Sequence, residues 1–309
     1  MEWKFRDPEG LCARRNTFLL ILDEYGMIGD ALCVADLRRT SFAEGSAVQC
    51  PVFRSVPACL AAIHFLIAPV HALGQDQQPS SSAWQLLRAK YYGDRFMGEV
   101  DEAYMSLEVP ANTPDPASTP VTLRFADDDQ RRVRRVRVFI DNNPSPLVAT
   151  LNFPGTPVTE INMRVRVDRF TSVRAIAETS DGALEMRSGW VKASGGCSAP
   201  PSAAAGGVLG EIRVRPAADS KSLQVGIRHP NASGFQIDPQ TGDPIPAHYI
   251  SHIRVTAGGS ALLDADTGIS ISENPALRIA SDRPLAMPIS VDAVDSQTQA
   301  HYTTANGSR

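Results

Sequence analysis

Beyond residue 72 the sequence holds a single cysteine. The five in the chain are Cys12, Cys33, Cys50, Cys59 and Cys197, and four of them precede residue 60. Cys197 has no C-x-x-C partner, so a dithiol redox motif is excluded. Aromatic residues make up only 6% of the 309 residues. No G-x-S-x-G elbow, Walker loop or dinucleotide fingerprint occurs, and Asp and Glu are scattered without forming an acid/base pair. A formal net charge of −4 leaves nothing global to recruit nucleic acid or an anionic membrane. Long apolar runs are missing as well. The best, Val56 to Val70, is about fifteen residues and contains Pro57, His64 and Pro69, too short and broken to span ~30 Å of hydrocarbon.

That run has a different reading. Residues 51–72 place Arg54 before the apolar stretch, with small residues Val70 and Ala72 at the −3 and −1 positions of a cleavage site. The pattern predicts a secretory signal peptide cut after Ala72, hence a periplasmic protein with no membrane span in its mature form. Residues 1–50 show no period and no caps, and read as a mistranslated or disordered extension upstream of the true start. Export would leave Cys197 alone in an oxidising compartment, as an intermolecular disulfide or a free reactive thiol.

Proline (23) and glycine (22) are plentiful, and with many short Val/Ile/Arg stretches they predict an all-β protein. One short helix is expected over 83–95, where Trp84, Leu87 and Tyr91 fall at helical spacing and Gly93 can end it. From Pro120 strands follow one another: PVTLRF, VRRVRVFI, EINMRVRV, SVRAIAETS and ALEMRSGWVKAS. In RVRVDRF the valines face one way, and Arg164 and Arg166 face the other, as on a half-buried strand. The arginines of RRVRRVRVFI read as a solvated strand face beside an Asp-Asp-Asp tract. Residues 198–207 are a small-residue linker. A second β block spans 208–303, with GEIRVRP, LQVGIRH, AHYISHIRVTA, GISIS, PALRIAS, PISVDAV and QAHYTTA as strands and the Gly-Gly of TAGGSALL as a hairpin turn. Each block of about 100 residues suits one β-sandwich, so two in tandem are expected, 83–197 and 208–303, with Cys197 at their junction.

No metal set stands out, and no cofactor is expected. The histidines beyond residue 72 are His229, His248, His252 and His301. His248 and His252 are four apart, but on a strand that spacing is ~13 Å. Cys197 remains. Gly195 and Gly196 precede it and Ser198, Ala199 and Pro200 follow. Glycines lack a Cβ, so this segment is expected to be a slender, exposed arm that presents a sulfur to another protein's active site. Lys192, the nearest cation in sequence, is a candidate electrostatic helper for a thiolate, or a solvated strand-end lysine.

Several motifs, in order, resemble a fusion of the two subunits of the SoxYZ sulfur carrier, and more closely the SoxYZ-like carriers associated with quinoprotein dehydrogenases. They are DNNPSPLVATLNF (141–153), RVRVD (164–168), AIAETSDG (175–182) and VKASGGC (191–197), then IRHPNASGFQID (227–238), IPAHYISHIRV (245–255) and GISISENPALRI (268–279). The resemblance implies two packed immunoglobulin-like sandwiches and a non-enzymatic periplasmic carrier of sulfur-oxidation intermediates, as in thiosulfate oxidation. Cys197 matches the carrier cysteine, and Gly195 and Gly196 match its leading glycines. The implied partners are sulfur-oxidising or quinoprotein-type enzymes and cytochromes. Two departures stand out: Cys197 is followed by a whole second domain rather than a free tail, and Asn231-Ala232-Ser233 replace the usual Met-Glu-Thr. An accessory module with an intermolecular Cys197 disulfide is the competing reading. An enzyme acting through Cys197 ranks last, since it needs a fixed base beside a flexible sulfur.

Overall fold

The computed structural model describes residues 81–99, 101–126, 131–155, 157–202 and 207–306. The signal-peptide segment 51–72 and residues 1–50 lie outside them. The first half runs α1 (Ser82–Tyr92), β1 (Gly98–Glu99), β2 (Met105–Glu108), β3 (Thr119–Phe125), β4 (Val133–Ile140), β5 (Leu147–Asn152), β6 (Glu160–Val165), β7 (Thr171–Thr179) and β8 (Leu184–Val191). The second runs β9 (Ile212–Pro216), β10 (Ser222–Ile227), β11 (Ile250–Ala257), β12 (Ser260–Thr267), β13 (Ala276–Ala280), β14 (Ile289–Asp295) and β15 (His301–Asn306). Over the described residues the protein is all-β with one short helix, two sandwich halves in tandem.

The halves do more than touch. One sheet has the order β1-β8-β7-β4-β5-β12-β11-β14-β15 and the other β2-β3-β6-β13-β10-β9. Each sheet therefore crosses the boundary: β5 pairs antiparallel with β12, and β6 with β13. A single apolar cluster fills the space between the sheets from Val121 and Val138 in the first half to Val255 and Val291 in the second. Shared sheets leave no strand edge where the halves meet.

Alternation sorts each strand's faces. In β4, Val136, Val138 and Ile140 enter the main core, while Phe139 on the opposite face packs with Trp84 and Tyr92 of the helix. Ser81 caps α1 by accepting from the Trp84 N–H (3.1 Å), and Gly93 ends it at φ +56°. The strand-face arginines are matched by charge: Arg131 pairs with Glu185, and Arg135 with Glu178 (3.3 Å). The β11–β12 hairpin turns on Gly258 and Gly259, both at positive φ (+57° and +83°), which suits residues without a Cβ.

Two expectations fail. GISIS forms no strand. It is an irregular segment bonded to the first half, with Ser272 N–H donating to the Arg164 carbonyl (3.1 Å) and the Arg166 N–H to the Ser270 carbonyl (2.7 Å). Arg166 is not on a solvated face. β6 ends at Val165, alternation stops there, and Arg166 turns inward to 1% exposure.

Candidate functional site

Cys197 lies just past β8, where segments of both halves converge. Its immediate support is the turn after β6. Gly195 N–H donates to the Asp168 carbonyl (2.6 Å), Gly196 N–H to the Val167 carbonyl (3.1 Å), and Cys197 N–H to Asp168 Oδ1 (3.4 Å). That turn is itself held by buried Asn143 of the DNNPSP motif. Asn143 Nδ2 donates to the Arg166 carbonyl (2.7 Å) and to Ser270 Oγ (3.0 Å), and its Oδ1 accepts from the Asp168 N–H (2.9 Å).

The second half closes over the cysteine. Ser233 Oγ donates to the Cys197 carbonyl, and Gln236 Nε2 to the Ala199 carbonyl (2.8 Å). Further on, Ser202 N–H and Oγ bond Glu273 (3.0 and 2.6 Å). The result overturns the expectation of a displayed arm. Cys197 is 0% exposed. The reason is the same glycines that suggested freedom. A Cβ on Gly196 would lie 2.2 Å from the Pro116 carbonyl oxygen and 2.4 Å from that of Val167. Absence of a side chain lets the backbone dock against two others. Gly195 supplies the turn at φ +73°, and Ser198, exposed, closes it by donating to the Gly195 carbonyl (3.3 Å).

Burial, with the nearby Asp168 charge adding to it, pushes the Cys197 thiol up to about 12, against a smaller downward pull from Arg166. The cation that acts on the sulfur is thus Arg166, not Lys192. Lys192 has an exposed side chain and a structural backbone: its N–H donates to the Ala111 carbonyl (2.8 Å). Docked, the thiol is protonated and shielded, so it is chemically quiet.

A second polar cluster adjoins the first. His229 and His248 both direct Nε2 to Asp295 Oδ2 (3.2 and 2.7 Å), which also accepts from the Tyr302 hydroxyl (3.1 Å). His229 Nδ1 accepts from the Asn231 N–H (3.0 Å), and the Asn231 carbonyl accepts from Arg166 Nη2 (3.3 Å). Arg166 Nη1 in turn donates to the Gly196 carbonyl (3.2 Å), so a chain of contacts runs from Asp295 to the peptide of Cys197. Burial, chiefly, lowers His229 below the usual histidine range. Burial would raise Asp295, but the Thr298 N–H, His248, the Gln297 N–H and His229 outweigh it and hold the carboxylate well below its ordinary range. The donor atoms of His229, His248 and Asp295 lie within 4.8 Å of one another, a donor set that could hold a metal. The pair in space is therefore His229 with His248. His252 bonds Asp266 instead (2.9 Å). Sequence reasoning did not single out Arg166 or Asp295. Asp295 was legible in principle, because alternation along ISVDAVD puts it on the face of Ile289, Val291 and Ala293.

Comparison with known proteins agrees with this layout. Residues 88–197 match the family model of the sulfur oxidation protein SoxY, and the match ends on Cys197. Residues 212–306 match that of the sulphur oxidation protein SoxZ. No curated protein sequence matches the chain. Among solved structures, the sulfur carrier protein SoxY from Chlorobium limicola f thiosulfatophilum is similar at 20% identity, covering 36% of this chain and 96% of its own, with a TM-score of 0.30. A superoxide reductase (neelaredoxin) from Ignicoccus hospitalis is similar at 12% identity, covering 29% of this chain and 79% of its own, with a TM-score of 0.25.

Proposed function

The chain belongs to the SoxY and SoxZ sulfur-oxidation families, joined in that order in one polypeptide, and we propose that it is a non-enzymatic carrier that holds sulfur intermediates covalently on Cys197. One observation carries the reading. The SoxY match ends on the lone free cysteine among the described residues, and the SoxZ half supplies the groups that close over it.

The chemistry follows from burial. In the closed form the sulfur is out of reach. Loading requires the 195–199 turn to open, after which the exposed thiol regains an ordinary pKa and its thiolate attacks a sulfur of the donor. A new S–S bond forms and the leaving group departs with the electron pair. A partner enzyme then acts on the tethered adduct. Cys197 is followed by the second half, so the turn opens as a doubly tethered loop. Its reach is bounded by ~3.5 Å per freed residue, with both ends returning. The proposed setting is the periplasm, reached through cleavage after Ala72, and the proposed partners are sulfur-oxidising or quinoprotein-type enzymes and cytochromes.

Intact-protein mass spectrometry of material isolated from its native cells without reductant tests this. A mature N-terminus at Leu73, with added mass of sulfur atoms or a sulfur oxyanion that reductant removes, is the expected result. A bare thiol in every growth condition, or only a Cys197-linked dimer, would favour the interaction-module reading instead.

A further inference from the structure

Arg166 is a buried guanidinium on which the carboxylates of Glu273 and Asp115 act only from beyond ion-pair distance. It is 1% exposed. Its Nη1 donates to the Gly196 carbonyl (3.2 Å), which belongs to the peptide bond carrying Cys197, and its Nη2 to the Asn231 carbonyl (3.3 Å). Its Nε has no partner. No carboxylate among the described residues forms an ion pair with it. Burying a charge with an idle donor is unfavourable unless something pairs with it in some state of the protein.

We infer that Arg166 is the anion receptor of the Cys197 site: it binds the negative end of a sulfur adduct on that cysteine, so that anionic cargo is retained between the two halves more strongly than neutral cargo. The inference rests on the carrier reading and adds a residue that discriminates among cargoes.

Arg166 has anchors of its own that do not depend on the cysteine turn. Its N–H is bonded to Ser270 and its carbonyl to Asn143, outside the turn. When the 195–197 turn shifts to make room for extra atoms on the sulfur, Nη1 loses the Gly196 carbonyl. Nη1 and Nε are then both available. Each can give a charge-assisted hydrogen bond to a sulfonate oxygen, with Nη2 left on the Asn231 carbonyl. Asp168 opposes an anion, because its Oδ1 accepts from the Cys197 N–H (3.4 Å). Arg169 partly offsets it at 3.6 Å. An anion is retained only if Arg166 outweighs Asp168, and burial favours Arg166, since charges interact more strongly away from water.

The test installs two small adducts chemically on the full chain. With tetrathionate, the Cys197 thiolate attacks a central sulfur. The Cys197 S–S bond forms, the central S–S bond breaks, and thiosulfate leaves with the electron pair, giving an anionic thiosulfonate. With methyl methanethiosulfonate, the thiolate takes the methylthio group and methanesulfinate leaves, giving a neutral adduct. Release of each by dithiothreitol is followed by mass and normalised to the same adduct in unfolded protein. Arg166→Gln is expected to speed release of the anionic adduct by about tenfold or more and of the neutral adduct by less than about twofold. Asp168→Asn should slow anionic release further. Equal acceleration of both adducts would make Arg166 merely structural, and no acceleration of either would remove it from the site. If Arg166→Gln fails to fold, the wild-type protein decides: a lower melting temperature with the anionic adduct than with the neutral one would overturn the inference. An empty Cys197 in cells would overturn the carrier reading while leaving this measured preference intact.

Discussion

Ser233 of the second half donates its hydroxyl to the carbonyl oxygen of Cys197 in the first. The cysteine is thereby held shut by a residue far along the chain, and Gln236 repeats the contact two residues past the sulfur, at the Ala199 carbonyl (2.8 Å). The SoxZ half is thus part of the closure of the SoxY cysteine as well as its sheet partner.

If these two side chains set the opening equilibrium, removing them should expose the sulfur. Each hydrogen bond contributes about 0.5–1.5 kcal/mol net. Ser233→Ala and Gln236→Ala are each expected to raise the rate at which N-ethylmaleimide labels Cys197 by about three- to tenfold, with the double variant faster than either. The rate reads the open population when closing is faster than labelling. Labelling of all three variants at the wild-type rate would mean that the turn is held by its own half alone, through Asp168 and Gly196.

How far the sequence could be read follows from which interactions are local. VRRVRVFI is a strand at the residues expected, because period-2 alternation is written into the segment itself. The α1 cap and the Gly-Gly hairpin are local for the same reason. The pairings of β5 with β12 and β6 with β13 are not local, since each joins segments more than a hundred residues apart. GISIS imitates alternation, yet its serines point to bonding partners in the other half rather than to solvent. Arg166 misled for a related reason. Its strand stops one residue earlier, and what buries it comes from the Gly196 and Asn231 segments. The position of Cys197 at the junction was legible. Its burial was not, because a glycine pair in sequence signals either freedom or close approach, and only the Pro116 and Val167 carbonyls decide between them.

Alkaline pH should destabilise the closed form through Cys197. Its folded thiol is pushed up to about 12 from an ordinary 9.0. Below pH 9 both folded and unfolded chains keep the proton and the group contributes no pH dependence. Above pH 9 the unfolded chain releases it and the folded chain does not, so stability falls until the folded value is reached. By pH 10.5 the loss from this group is on the order of 2 kcal/mol. Urea unfolding at pH 8 and 10.5 should show a steeper decline for wild type than for Cys197→Ala. Parallel declines would mean that the sulfur is solvated in solution, contrary to its burial.

On the acid side, His229 and Asp295 should act in sequence. His229 is faced by Asp295, His248 and Asn231, and Tyr302 shares the same carboxylate oxygen. Its folded pKa is lowered, chiefly by burial. Below the ordinary value of 6.5 the unfolded chain binds a proton that the folded chain refuses, so stability falls as pH drops through that value. Asp295 has the depressed carboxylate of a group bonded in the folded state. Its contribution is fully present above the ordinary 3.8 and is lost as pH falls below it. Thermal melts between pH 8 and 3 should therefore show two declines, one beginning near 6.5 and one near 4. His229→Gln should flatten the first and weaken but keep the second, since His248 and the Thr298 and Gln297 N–H groups still hold Asp295, at a lower stability throughout, because the neutral ring now fills a buried site. The same loss should reach the sulfur: the ring accepts the Asn231 N–H, and Asn231 holds Arg166. Cys197 labelling in His229→Gln should then be faster than in wild type at pH 8. Unchanged labelling together with a flattened first decline would separate the histidine cluster from the cysteine and confine its role to stability.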